Sequence, residues 1–213
     1  MTAPTVPTAS FVVPVARPRT FPLARVLGLL GLLGAPAFPV IGALHPGGLQ
    51  ERNPLAVPST PDNLLMLAYM LGLCCSALGL RRLRATGAGR GGAAVSGVQL
   101  AAAALAALQC VQDLARARPL GGAFYFVSDM AWPFSHVYLL VVFAAVWRAG
   151  VLTGWRRWPA LAAGLVLPLT FAAGASRGLV DPNFVFPYGT AAAFLALGLA
   201  VATAPRAAVA TKQ

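Results

Sequence analysis

Six stretches of this chain run for about 15 to 22 residues almost without charge, close to the length an α-helix needs to cross roughly 30 Å of hydrocarbon. They are not arranged as the half-apolar faces of a water-soluble fold. Over the 213 residues, 58% are hydrophobic and 10% are charged, against about 25% charged in ordinary soluble domains. A soluble core is thereby excluded, and the expected fold class is all-α, an integral membrane six-helix bundle.

The spans read as Val26–Leu44, Asn63–Leu80, Val98–Gln112, Phe126–Trp147, Pro159–Ala175 and Phe184–Ala204. Residues 1–25, rich in Pro and Thr, form an expected flexible N-terminal tail, 26–204 the transmembrane domain, and 205–213 a short polar tail. The first span carries Gly28, Gly31 and Gly34 as one strip where another helix could approach closely, and its Pro36 and Pro39 predict a kink. Gly34-Ala35-Pro36-Ala37 has the small residues of a signal-peptide cleavage site, which if cut would leave five spans. The apolar run continues to Leu44, however, so an uncleaved anchor is the expectation. Breakers between His45 and Asp62 predict a loop, and a Gly-rich basic loop is expected from Arg81-Arg82-Leu83-Arg84 to about Ser96.

The formal net charge of +11 could suggest nucleic acid as a partner, but the cations stand singly or in small groups beside apolar runs and form no separate basic domain. Nucleic acid is therefore rejected, and the lipid bilayer is the expected partner, with other membrane proteins or a second copy of the chain as further candidates. One side of the six spans holds Arg17, Arg19, Arg25, Arg81, Arg82, Arg84, Arg90, Arg148, Arg156, Arg157, Arg206 and Lys212; the other holds Arg52, Arg116, Arg118 and Arg177. The positive-inside rule then puts both termini in the cytoplasm. Glu51, Asp62, Asp113, Asp129 and Asp181 all fall on or near the outer side. Trp147, Trp155 and Trp158 are expected at the inner boundary, and Phe124, Tyr125, Phe184 and Tyr188 at the outer one. Arg in place of Lys, with abundant Ala, Gly and Leu, points to a GC-rich bacterial genome and hence to an inner, cell membrane.

Each even-numbered span opens with an acid, and Asp62 to Arg81 repeats the spacing of Asp129 to Arg148. Helix capping by Asp and an interfacial Arg account for this simply; three repeated helical hairpins are the alternative.

Polar residues within apolar runs are the candidate site. Asp129, Trp132, Pro133 and His136 share one face of span four, His136 about 10 Å deeper than Asp129. Gln109, Gln112, Asp113 and Arg116 repeat that spacing on span three. If the two faces meet, Gln109, Gln112, Asp113, Asp129 and His136 would line an outward-facing ligand-binding pocket. Otherwise the acids are interfacial anchors and His136 makes one interhelical hydrogen bond.

No cofactor or metal is expected. His45 and His136, the two histidines, lie at different depths, which argues against bis-His haem, and Cys74, Cys75 and Cys110 lack metal-ligand spacing. Gly174-Ala175-Ser176-Arg177-Gly178 matches the G-x-S-x-G string of serine hydrolases, but follows a membrane helix instead of a strand. The stretch Ser128-Asp129-Met130-Ala131-Trp132-Pro133-Phe134-Ser135, followed by an apolar span and Gly154-Trp155-Arg156-Arg157, resembles uncharacterised multi-pass membrane proteins of GC-rich bacteria. That resemblance implies no activity. A small carrier or ligand-binding bundle is the leading expectation, ahead of a non-catalytic subunit or scaffold and of an outer-face enzyme using Ser176 and His136.

Overall fold

A computed structural model describes residues 22–45, 59–115, 122–176 and 179–204. Every regular element among them is helical: α1 (Pro22–Gly34), α2 (Ala37–Leu44), α3 (Thr60–Arg82), α4 (Arg90–Leu114), α5 (Ala123–Ala149), α6 (Pro159–Ala175) and α7 (Pro182–Ala202), with a single 3₁₀ turn at Gly154–Arg157. With α1 and α2 counted as one broken rod over Leu23–Leu44, five helices are long and apolar enough to cross a membrane; α6, at 17 residues, is a shorter apolar helix. The chain is accordingly a membrane protein. Most of the expected N-terminal tail, the 205–213 tail, and Glu51, Arg52, Arg116, Arg118 and Arg177 lie outside the described residues.

Helix ends differ from the sequence expectation for local reasons. The kink expected at Pro36 is a full break, because Ala35 and Pro36 form a turn in which the Ala35 N–H bonds the Leu32 carbonyl. α3 starts before Asp62: Ser59 caps it, its hydroxyl accepting from the Asp62 N–H, and Pro61 sits in the first turn, where a missing N–H costs nothing. The basic loop expected up to Ser96 ends at Gly89, and Arg90–Ser96 is helical. Here local side-chain hydrogen bonds offset glycine's poor helix propensity. The Thr86 hydroxyl donates to the Gly92 carbonyl at 2.8 Å and lies 2.7 Å from the Ser96 hydroxyl, tying the turn to the new helix.

The helices pack as a ring in chain order, α1–α3–α4–α5–α6–α7, which closes where α7 meets α1. Close approach at that closure depends on the glycine strip. A Cβ on Gly28 would lie 2.7 Å from the Gly198 carbonyl oxygen of α7, and one on Gly34 would lie 2.6 Å from the Ala68 carbonyl oxygen of α3. Gly31 faces Ser76 and Gly72 of α3. One strip therefore serves two neighbours, and both belong to this chain.

The solvent logic of a soluble protein is inverted. Leu33, Phe134, Phe171 and Leu199 face outward, while Asp62, Asn63, Gln99, Gln109, Asp113, His136 and Thr190 are buried inside. Charge is segregated along the bundle. The start of α1, the ends of α3 and α5, the start of α4 and the 3₁₀ turn gather Arg25, Arg81, Arg82, Arg84, Arg90, Arg148, Arg156 and Arg157 at one end. The contact of Gly79 with Val201 and the bond of Arg156 to Thr203 place the end of α7 there too. Asp62, Asp113 and Asp181 mark the opposite end, and Asp129 follows in the second turn of α5.

Candidate functional site

At the acid end, the α4–α5 seam is closed by polar side chains. Gln109 Nε2 donates to Asp113 Oδ2 at 2.7 Å and more distantly, at 3.4 Å, to the Tyr125 hydroxyl, which itself donates to Asp113 Oδ1 at 3.1 Å. One turn away, Gln112 Nε2 donates to the Ser128 hydroxyl at 3.2 Å. Gln109 and Asp113 meet because they are four residues apart on one helix. Tyr125 joins them from the first turn of α5, its hydroxyl turned towards this cluster. Asp129 is half-buried one turn further along α5.

At the ring's next opening, Asp62 is buried at the start of α3. Its carboxylate accepts from the Ser59 hydroxyl at 2.6 Å and pairs with His45 Nε2 at 3.1 Å. This links the end of α2 to the start of α3 across the 46–58 connection.

His136 does not join the α4–α5 cluster. It turns across the interior, where its Nε2 lies 2.6 Å from the Tyr69 hydroxyl of α3, and both side chains are essentially inaccessible, at 0% and 1%. Its Nδ1 lies 2.8 Å from the Trp132 carbonyl. A carbonyl can only accept, so Nδ1 carries a proton, and in a neutral ring Nε2 then accepts from the tyrosine hydroxyl. The Trp132 carbonyl also accepts from the Ser135 hydroxyl at 2.8 Å. Pro133, inside α5, supplies no N–H to the preceding turn, which loosens the backbone at this level.

Aromatic rings enclose the pair. Phe38 from α2 meets Tyr69 and Phe186 with centroids at 4.8 Å each, Trp132 meets His136 at 4.6 Å and Phe186 at 5.7 Å, and Phe194 meets Tyr69 at 4.8 Å. Phe186, Thr190 and Phe194 recur every four residues, so Thr190 stands between two members of the ring on one face of α7. On the α4 side, Gln99 Nε2 donates to the Ser135 carbonyl at 3.1 Å.

Three buried polar atoms around this centre have no partner among the described residues: Thr190 Oγ1, Trp132 Nε1 and Gln99 Oε1. The threonine is informative by contrast. Thr170 and Thr203 return their hydroxyls to the carbonyl four residues back, at 2.8 and 2.7 Å, as helical threonines do, while the Thr190 hydroxyl makes no such bond. Leaving such groups unsatisfied in a low-dielectric interior costs about 1–3 kcal/mol each.

The structure thus divides the sequence-derived site into two levels. Gln109 and Asp113, with Gln112 beside them, form the upper seam with α5, and His136 belongs to a deeper centre with Tyr69. Sequence reasoning put Trp132 and His136 on one face but missed Tyr69, Phe38, Thr190, Phe186 and Phe194. The four-residue spacing on α7 was the one local signal for that wall. Ser176 is occupied otherwise: its hydroxyl donates to the Ala173 carbonyl at 2.6 Å and accepts from the Val180 N–H, a helix-end turn, while both ring nitrogens of His136 are engaged elsewhere. Among the described residues no group of His, Cys, Asp or Glu side chains is placed to hold a metal ion. Comparison with protein-family models, curated proteins and solved structures finds no match to the chain.

Proposed function

We propose that this chain is a small ligand-binding or carrier bundle that crosses a bacterial inner membrane six times, with both termini and the arginine-rich end in the cytoplasm. Its site opens towards the acid end. In this reading Gln109, Gln112, Asp113 and Asp129 form the polar approach, and His136 with Tyr69 forms the floor. Segregation of arginine from aspartate along the bundle supports the orientation. The length of α6, about 26 Å at 1.5 Å per residue, is enough for a sixth crossing of a thin region beside α5 and α7.

The observation that carries the reading is the set of buried, unpartnered polar atoms beside a hydrogen-bonded Tyr–His pair within an aromatic ring. A bundle selected only for packing gains nothing from them. Walls of Phe and Trp with spare donors on Trp132 and Thr190 suit a flat, mainly apolar molecule bearing a carbonyl oxygen. The probe we would use is 2-methyl-1,4-naphthoquinone, titrated into the purified chain in detergent and read by tryptophan fluorescence and thermal unfolding. Saturable binding that weakens about tenfold or more in Thr190→Val and His136→Phe supports the site, on the usual worth of a buried hydrogen bond. Equal binding by wild type and both variants would exclude the ring as the binding place.

A scaffold is suggested by the glycine strip and by inner helix halves poor in polar residues. That strip is used within the chain, by α3 and α7, so it offers no argument for a separate partner.

A further inference from the structure

A second feature, independent of the aromatic ring, lies at the arginine end. Trp147, Trp158 and Phe143 form an aromatic tripod, with centroids at 5.3 Å for the two indoles and 5.9 Å from Phe143 to each. Together with Ala144 and Arg148 they line an apolar groove of about 330 Å³ on the outer surface of α5 and the start of α6. Both indoles are about half exposed. Phe143 lies one turn deeper than Trp147, about 6 Å by helical rise, so the groove runs from the basic end towards the apolar middle of the bundle.

Its basic rim is held in place. Arg157 donates through Nε to the Leu152 carbonyl at 2.9 Å and lies over the Trp147 ring at 5.3 Å; Arg156 donates through Nε to the Thr203 hydroxyl at 3.2 Å and lies over Trp155 at 5.5 Å. Each bond uses Nε and leaves the two terminal NH₂ groups of the guanidinium for a further acceptor. Arg148 lines the groove and Arg157 lies over its Trp147 wall, and among the described residues none of Arg148, Arg156 and Arg157 forms a salt bridge with a carboxylate. The described acids are at the other end of the bundle. No described carboxylate therefore supplies their counter-charge.

We propose that this groove is a binding site for one anionic phospholipid of the adjoining leaflet. Its phosphate is held by Arg148 and Arg157, its glycerol region lies against Trp147 and Trp158, and one acyl chain follows Phe143 and Ala144. Charge complementarity selects the headgroup, since planar guanidiniums bind phosphate oxygens in pairs, and the apolar channel leading away from it requires a tail. Free phosphate would satisfy the rim and leave the groove unfilled.

The test is lipid binding by native mass spectrometry and by brominated-lipid quenching. It uses the full chain in vesicles of phosphatidylcholine containing a minor fraction of phosphatidylglycerol. Wild type should retain phosphatidylglycerol in preference to phosphatidylcholine, and millimolar inorganic phosphate should not displace it. The double variant Arg148→Gln/Arg157→Gln should lose the preference by about tenfold to thirtyfold, from the loss of two surface charges. Ala144→Trp, which fills the groove at an exposed position and keeps every charge, should lose it comparably. Arg81→Gln/Arg82→Gln, at the same end but remote from the groove, should keep it. Equal loss in the Arg81/Arg82 variant, full binding by Ala144→Trp, or displacement by phosphate would each overturn the site in favour of diffuse surface attraction.

Discussion

The seam between α1 and its two neighbours and the seam between α4 and α5 solve one problem by opposite means. Apolar side chains gain little from burial when the alternative is lipid, so helices in a membrane associate through close packing or through hydrogen bonds. The α1 seam brings backbones together over Gly28, Gly31 and Gly34. The α4–α5 seam keeps larger polar side chains and links them through Gln109, Asp113, Tyr125, Gln112 and Ser128. A glycine seam has no room to change. A hydrogen-bonded seam can exchange partners.

The contrast can be broken most sharply at Gly34. Gly34→Leu should cost about 3 kcal/mol or more, because the new side chain meets the Ala68 carbonyl and the Tyr69 backbone, neither of which can move aside. Unfolding in mixed micelles or by steric trapping would measure it, and a loss below 1 kcal/mol would show that the seam is not rigid. Next in size is Tyr69→Phe, which strands His136 Nε2 without a donor and should cost about 1–3 kcal/mol. The double variant Tyr69→Phe/His136→Phe should recover most of that loss. If instead the two losses simply add in a double-mutant cycle, the pair does not act as a unit.

Smaller effects test the polar seam. Gln112→Leu should cost only about 0.6 kcal/mol, since side-chain hydrogen bonds between membrane helices are individually weak. A loss as large as that of Gly34→Leu would erase the distinction between the seams. Gly42→Ala completes the series. Nothing lies within 4 Å of a Cβ there, so alanine should be neutral or stabilise α2 by up to about 1 kcal/mol, and destabilisation would point to a contact made outside the described residues.

Much of this organisation is local and could be read from the chain. Apolar run length located the helices, Pro36 and Pro39 pointed to a kink where α1 and α2 part, and spacing put Gln109 and Asp113 on one face of α4. The expected span Pro159–Ala175 coincides with α6. What escaped was set by side-chain contacts that composition and periodicity do not show. Arg90–Ser96 looks like a loop by composition, and it is helical because Thr86 fastens the preceding turn to it. The aromatic ring draws on α2, α3, α5 and α7, and no single helix shows more than a fragment of it. His136 was visible as an anomaly, whereas its partner Tyr69 looked like one apolar residue among many. Periodicity along one helix cannot say which neighbour its face will meet.

Ring closure through Gly28 on α1 and Gly198 on α7 also bears on how the protein is made. Contacts between elements so far apart in the chain form late, because a long stretch of polypeptide must be synthesised before they can exist. During synthesis α1 enters the membrane with its glycine face bare on the side that α7 will cover. It remains so until some 170 further residues have followed. Assembly therefore contains a waiting period, and an insertase or chaperone that shields small-residue faces would be needed most by the helix that enters the bilayer before the others.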